Sequence, residues 1–273
     1  MDIEDEAEQA EENGDLKTAC ILRKEIAAKK QNATSFFSYG CLAMRLEKWD
    51  EAEGAFAAAL RLDPSFTLGM EGMGILWCER TDRNEVESFR TARDWYLKAI
   101  KLDRNARALT LLGCAYVALG DSTAAQTAFE DTLKLDPEYE EALYNLARRQ
   151  EESNPARACE LLEKAIEIDA DYFLAHQRLG VLRQRSGDLI RAEYHFRRSL
   201  EAKPTHYGSH LYLANCLAVQ GREEEAEQTY RFVTSLQPEN PGGLKFFANF
   251  LESIGKKEDA LALRAKIKSL LDQ

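Results

Sequence analysis

The sequence predicts an all-α protein built from repeated pairs of helices. An alanine recurs along most of the chain, and the intervals between successive copies are 40, 33, 33, 34, 34 and 34 residues. A bulky residue follows four positions later in all but the last copy, so the two side chains share one face of a helix. One helical hairpin of this length cannot bury such a face alone, and the pattern therefore predicts a stack of hairpins. The alanines are Ala52, Ala92, Ala125, Ala158, Ala192, Ala226 and Ala260, and the residues that follow them are Phe56, Tyr96, Phe129, Leu162, Phe196, Tyr230 and Arg264.

The repeat units can be delimited in order along the chain. A degenerate unit over residues 1–32 contains the turn residue Gly14 and the segment of a second helix, and seven clear units follow it. A small residue in each first helix allows the second helix to approach closely, and Pro64, Pro137, Pro204 and Pro238 end units because proline lacks the backbone donor. The clear units are 33–66, 67–105, 106–139, 140–172, 173–206, 207–240 and 241–273, and their small residues are Gly40, Gly74, Gly113, Ala147, Gly180, Ala214 and Ala248.

Three units depart from the common pattern. Between Cys78 and Ala92 the chain carries six extra residues, which predict a long surface turn over residues 79–91 or a docking loop. In the fourth clear unit, Asn154 is predicted to be a helix N-cap with Pro155 as the first helical residue. Arg264 replaces the bulky residue of the last unit, and we interpret it as part of a polar end cap.

These residues resemble the tetratricopeptide repeat (TPR), a helix-turn-helix unit with Leu-Gly, Tyr, Ala, Phe, Ala and Pro at fixed places. The resemblance covers nearly the whole chain. It implies a right-handed α-α superhelix, a TPR solenoid, and a role in binding other proteins rather than in catalysis.

Composition narrows the function classes. The net charge of −11 opposes binding to a phosphate backbone, which requires a basic stripe. The acidic start of the chain is unlike a signal peptide, and no segment has the apolar length of a membrane span, so we expect a cytoplasmic protein. The six cysteines are widely spaced and predict neither a disulfide framework nor a zinc site.

No motif predicts catalysis, a metal or a cofactor. The zincin, nucleophile-elbow and P-loop patterns are absent from the sequence. His206 and His210 lie four residues apart, but Pro204 places the first of them before the helix, and no third ligand is near in sequence. We therefore predict a protein that is not an enzyme.

The resemblance also implies which residues bind a partner, because the first helices of TPR units line a concave groove. In the first three clear units the implied groove residues are Phe37, Cys41, Met44, Glu71, Ile75, Thr110 and Cys114. In the last four they are Tyr144, Asn145, Arg148, Gln177, Arg178, Arg185, Asn215, Lys245 and Asn249. Of the carboxylate clamp known in a heat-shock co-chaperone of this family, only Asn145 and Arg178 match, which argues against that clamp.

The arginines of the groove suit an acidic-aromatic peptide or an acidic helix, because guanidinium groups bind carboxylates through two hydrogen bonds. Alternatively, Arg148 and Arg178 pair with Glu141, Glu151 or Glu152 within the protein. The predicted function is a non-catalytic interaction scaffold or adaptor. The alternatives are a structural protein that self-assembles through the array ends and a regulatory module of an enzyme complex.

Overall fold

A computed structural model describes residues 2–80 and 82–272, and this part of the chain forms α-helices without any β-strand. The predicted all-α fold is confirmed. In chain order the helices are α1 (Ile3–Glu12), α2 (Leu16–Lys30), α3 (Ala33–Arg45), α4 (Trp49–Leu62), α5 (Thr67–Glu79), α6 (Glu85–Leu102), α7 (Ala106–Ala118), α8 (Ser122–Leu135), α9 (Glu140–Gln150), α10 (Pro155–Ile168), α11 (Phe173–Arg185), α12 (Leu189–Ala202), α13 (Tyr207–Val219), α14 (Glu223–Leu236), α15 (Pro241–Ser253) and α16 (Lys257–Leu271).

The helices divide into two compact units, with the boundary between Ala142 and Leu143. We refer to them as unit 1 and unit 2. In unit 1 each helix from α1 to α8 packs against the next, and in unit 2 the same holds from α10 to α16. Odd-numbered helices are the first and even-numbered helices the second helix of a repeat. None of the helices in the described residues has the length and apolar character needed to cross a membrane.

The turns inside most repeats have one residue in the left-handed backbone conformation. Glycine is the residue there in five repeats, for example Gly120 with a φ of 76° and Gly187 with a φ of 84°. Glu47 takes this place in the turn before α4 with a φ of 57°. Glycine adopts such angles without a steric penalty, which explains why it follows so many of the first helices.

The repeat positions read from the sequence form the buried contacts of the helix pairs. Ala52, Ala125 and Ala192 are fully buried, as are the aromatic rings of Phe56 and Phe129. Six of the seven recurring alanines have no exposed surface, and Ala260 retains only 3%. Since a fully buried alanine leaves no room for a larger side chain, these positions set the distance between the two helices.

Most of the six extra residues in the second clear repeat lengthen a helix, and only a few lengthen the connection between helices. Helix α6 has 18 residues whereas α4 has 14, and the turn between α5 and α6 begins at Arg80. The expected long loop is therefore largely an additional helical turn at the start of α6. Thr81, within this turn, lies outside the described residues.

A buried arginine holds this turn in place. The side chain of Arg80 is 1% exposed and pairs with Asp50 at 2.6 Å, with Glu53 at 2.7 Å and with Asp82 at 2.7 Å. Its guanidinium carbon also lies 5.8 Å from the centre of the Trp77 ring. The turn is thus fixed to α4 by ion pairs, which a freely moving docking loop would lack.

The N-terminus of α10 matches the sequence prediction. Asn154 is the N-cap, its side-chain oxygen accepts a hydrogen bond from the Arg157 amide at 3.1 Å, and Pro155 is the first residue of the helix. Proline is favoured there because the first helical amide has no partner within the helix.

Candidate functional site

First helices of successive repeats lie side by side within each unit. Helix α3 contacts α5 and α5 contacts α7 in unit 1, while α11 contacts α13 and α13 contacts α15 in unit 2. The surface that these helices share is called the first-helix face of that unit below. In unit 2 it includes residues 143–150 of α9, which adjoin the residue before α11 through the rings of Tyr144 and Tyr172. All sixteen residues predicted to bind a partner lie on first helices, namely α3, α5, α7, α9, α11, α13 and α15.

The first-helix face of unit 1 begins with apolar side chains. The ring of Phe37 packs against Phe56 and Phe66, with ring centres 5.7 Å apart in both pairs. Cys41 is half-buried, and burial raises the pKa of its thiol to about 11, so that it is neutral at ordinary pH. Met44, like Phe37 and Cys41, packs against a cluster of buried residues that includes Phe56.

The next repeats of unit 1 combine apolar and hydrogen-bonded side chains. Ile75 and Cys114 are half-buried. Thr110 is fully buried, and its hydroxyl donates to the Ala106 carbonyl at 2.9 Å and lies 3.3 Å from the Thr132 hydroxyl. Thr110 thus contributes hydrogen bonds inside the repeat rather than a group on the surface.

A carboxylate lies beneath this face. Glu71 on α5 is 2% exposed, and its Oε2 is 3.3 Å from Nε of Arg107 on α7. Oε2 accepts no hydrogen bond from the described residues. Burial raises the pKa of Glu71, and the charge of Arg107 opposes this shift.

On the first-helix face of unit 2, aromatic residues adjoin an exposed cation. The rings of Tyr144 and Tyr172 are 5.6 Å apart, and the guanidinium carbon of Arg148 is 5.9 Å from the centre of the Tyr144 ring. Arg148 is exposed, and within residues 143–272 it has no carboxylate at ion-pair distance. A cation above an aromatic ring remains available to an anionic ligand.

The other two predicted arginines of unit 2 are paired within the protein. Arg178 donates from Nε and Nη2 to the two carboxylate oxygens of Glu151, at 2.7 and 2.5 Å, and Glu151 is nearly fully buried. Arg185 pairs with Glu152 at 3.0 Å, and both side chains are mostly exposed. The bidentate pair holds Arg178 in place, which leaves Arg148 as the more available of these cations.

The remaining predicted residues differ in how they are presented. Gln177 is buried, and Asn145 is half-buried. The side-chain oxygen of Asn215 accepts a hydrogen bond from the Tyr230 hydroxyl at 2.7 Å. Lys245 and Asn249 are exposed on α15, and Asn249 lines a cavity of about 350 Å³ together with Asn215 and Phe246.

Two features were not predicted from the sequence. A cavity of about 480 Å³ lies among α12, α13 and α14, lined by residues that include Leu200, His210 and Phe232. His176 and His195 face each other with 3.0 Å between their Nδ1 atoms. The residues that form the cavity, and the two histidines, lie on different helices. The spacing of residues along the sequence therefore indicates neither feature. Among the described residues, no three His, Cys, Asp or Glu side chains are grouped as metal ligands.

Comparisons with known proteins agree with this geometry. Residues 5–135 match the model of the cilia and flagella-associated protein 70 middle TPR-like domain, and residues 110–173 and 183–241 match two tetratricopeptide repeat models. The chain belongs to the tetratricopeptide repeat family. No curated protein sequence matches this TPR chain significantly.

Solved structures show the same fold. The crystal structure of the APC/C hetero-tetramer Cut9-Hcn1 is 14% identical with a TM-score of 0.75, and the match covers 90% of this TPR chain. The structure of pilF from Pseudomonas aeruginosa is 17% identical with a TM-score of 0.69, and 81% of this chain and 97% of that chain are covered. This TPR chain spans 48% of the matched Cut9-Hcn1 chain, about half its length.

Proposed function

We propose that this TPR protein is a non-catalytic interaction scaffold or adaptor that binds a peptide or a partner helix on its first-helix faces. The observation that carries the proposal is Arg148, an exposed cation above Tyr144 with no carboxylate at ion-pair distance within residues 143–272. Most other arginines of the chain lie next to carboxylates, as Arg178 does beside Glu151. An uncompensated cation beside two tyrosine rings suits an acidic segment that also carries aromatic or aliphatic side chains.

Fewer arginines are available to an acidic ligand than the sequence alone indicates. Arg178 and Arg185 are already neutralised by Glu151 and Glu152. An acidic partner would therefore gain its main charge contact from Arg148 and its apolar contact mainly from the half-buried Tyr172, because only 9% of Tyr144 is exposed. Electrostatic attraction of this kind accelerates association and weakens as salt is added.

A charge reversal tests the proposal. Arg148→Glu is compared with the matched control Arg191→Glu, which changes the net charge equally on the exposed surface of α12. The protein and both variants are used to capture partners from a lysate of the cells that express it, at low and high salt. We expect a captured protein that is lost with Arg148→Glu and retained with Arg191→Glu. Equal capture by both variants would remove Arg148 from the binding site.

We further propose that the scaffold serves an assembly of cilia or flagella. The match of residues 5–135 to a domain of cilia and flagella-associated protein 70 supports this location. A fluorescent fusion expressed in ciliated cells tests it, and accumulation along the cilium is the expected result. A uniform distribution through the cytoplasm would instead agree with the location expected from composition.

A further inference from the structure

The carboxylate of Glu71 has unused capacity to bind a cation. Glu71 is almost completely buried, and its Oε2 accepts no hydrogen bond from the described residues. Arg107 approaches this oxygen with Nε at 3.3 Å. Asn105 forms a side-chain hydrogen bond that favours the charged form of Glu71, but within the described residues Oε2 itself keeps only the long contact with Arg107. A buried carboxylate is stabilised by two or more close donors, so this oxygen is poorly compensated.

Arg107 is the exposed partner of this ion pair. Its side chain is 53% exposed, whereas that of Glu71 is 2% exposed. Water competes with Glu71 for the exposed guanidinium group, which weakens the attachment of Arg107 to the carboxylate. The arginine therefore covers Glu71 but is not fixed there.

The charges around this position favour a cation over an anion. Asp103 interacts electrostatically with Glu71, and Glu141 does so with Arg107. Glu140 in turn interacts with Glu141. Negative charge thus predominates near this ion pair, and unit 1 as a whole contains 28 acidic and 17 basic residues. An incoming carboxylate would meet repulsion here, whereas an ammonium or guanidinium group would be attracted.

Apolar side chains lie beside the carboxylate. The ring of Phe37 on α3 reaches α5 next to Glu71, since a Cβ atom on Gly72 would lie 3.1 Å from its Cε2. Ile75 is half-buried one helical turn after Glu71 on α5. Lysine and arginine carry aliphatic stems that pack along such surfaces while their charged ends reach a carboxylate. The surroundings of Glu71 therefore match both parts of a basic side chain.

We propose that Glu71 is a subsite for a lysine or arginine side chain of a protein partner, which displaces Arg107 and pairs with the buried carboxylate. The subsite lies on the first-helix face of unit 1 and extends the proposed scaffold function by naming the chemistry recognised there. It is separate from the contact proposed at Arg148, which would bind an acidic segment.

Small cations test the subsite without a partner protein. Arg107→Ala, with glutamate side-chain carboxyl groups labelled with ¹³C, is titrated with n-propylguanidinium chloride and followed by NMR. We expect a saturable shift of the Glu71 carboxyl resonance, with an apparent affinity about fivefold higher than in the unmutated protein because Arg107 no longer competes. Sodium chloride at equal ionic strength controls for salt.

The double variant Arg107→Ala with Glu71→Gln is the matched control, and it should show no saturable shift of backbone amides around residue 71. If the single variant does not fold, the unmutated protein is titrated with n-propylguanidinium chloride instead. A saturable shift of the Arg107 Nε–H resonance then shows that the added cation displaces Arg107 from Glu71. Shifts that never saturate would overturn the proposal. Saturable binding of propionate that is lost with Arg107→Ala would also overturn it, because the site would then recognise anions.

Failure of this titration would leave the Arg148 proposal intact, since no partner protein takes part in it. Conversely, a partner retained by Arg148→Glu would not affect the cation titration. The two proposals are thus tested separately.

Discussion

At the scale of residues, contacts between a glycine and an aromatic ring fix the distance between two helices. A Cβ atom on Gly113 would lie 2.5 Å from Cε1 of Phe129, and one on Gly40 would lie 2.6 Å from Cε1 of Phe56. Both rings are fully buried and have no free space to move into. A single added methyl group therefore forces the helices apart or strains the ring.

Gly113→Ala is expected to lower the free energy of unfolding by about 1–3 kcal/mol, the typical cost of overpacking a core. Gly54→Ala is the control, because a Cβ at this exposed position in α4 meets no atom within 4 Å. That change should stabilise the helix by about 0.5–1 kcal/mol, since alanine loses less backbone entropy than glycine. Urea denaturation measures both. A Gly113→Ala protein as stable as the parent would show that this pair does not set the helix spacing.

A histidine pair in unit 2 couples stability to pH. Nε2 of His176 is 3.1 Å from the Ala170 carbonyl, which can only accept, so this nitrogen carries the proton. Nδ1 of His176 then accepts from Nδ1 of His195 at 3.0 Å. Burial lowers the pKa of His176, and burial together with the charge of His176 lowers the pKa of His195 to about 4. The charged groups that also affect these two pKa values are Arg183, Arg191, Arg198, Asp169, Asp171 and Asp188.

The unfolded chain binds protons at the ordinary histidine pKa of 6.5, whereas the folded chain resists protonation until about pH 4 at His195. The unfolded state therefore holds more protons between these values, and stability falls as the pH is lowered through that window. Urea denaturation at pH values of about 7 and 5.5 should show this loss, and His195→Gln should reduce it. An unchanged pH dependence in the variant would assign the effect to other groups.

At the scale of elements, the sequence predicts helices where the apolar pattern and the caps agree. The recurring Ala–Phe spacing defines second helices such as α4 and α8, and Asn154 and Pro155 define the start of α10. The extra residues before Ala92 were wrongly expected to form a long loop, since residues 85–91 belong to α6, which has 18 residues whereas α4 has 14. A period alone does not distinguish an added helical turn from a loop.

The candidate site was predictable to a similar degree. The repeat period places residues such as Tyr144 and Arg148 on first helices, because position within the unit decides the face of the helix. It does not reveal that Arg178 pairs with Glu151, since these residues are 27 positions apart and belong to different repeats. Whether a polar residue is available to a ligand depends on such contacts between helices.

Arg80→Met tests the element that replaces the expected loop. The variant loses ion pairs with Asp50, Glu53 and Asp82, and we expect a decrease of about 2–3 kcal/mol in the free energy of unfolding. This is below the cost of breaking a fully buried pair, because the carboxylates remain partly hydrated. Amides in the first turn of α6 should also exchange hydrogen faster. Arg90→Met, at an exposed position of α6, is the control. Equal stability of the two variants would show that Arg80 does not hold the turn.

At the scale of the whole molecule, charge is distributed unevenly between the two units. Unit 1 has 28 acidic and 17 basic residues, whereas unit 2 has 19 of each, so the net charge of −11 belongs to unit 1. The two proposed contacts follow this difference, with a cation subsite at Glu71 and an anion contact at Arg148. A scaffold with two such faces can bind segments of opposite charge.

The last repeat tests the alternative of self-assembly. Arg264 pairs with Glu252 at 2.5 Å, while Leu261 and Leu271 on the same helix are largely exposed. Arg264→Phe would add a large apolar side chain beside them, and we expect stronger self-association, seen as a higher sedimentation coefficient at high protein concentration. An unchanged sedimentation profile would show that Arg264 does not limit self-association through this helix.

The central claim is that a protein partner binds the first-helix face of unit 2 around Arg148. Hydrogen exchange of the captured complex, compared with the protein alone, measures this most directly and requires no mutation. We expect slower exchange in α9, α11 and α13, with α10, α12 and α14 little changed. Protection confined to α10, α12 and α14, or to the cavity at Phe232, would contradict it.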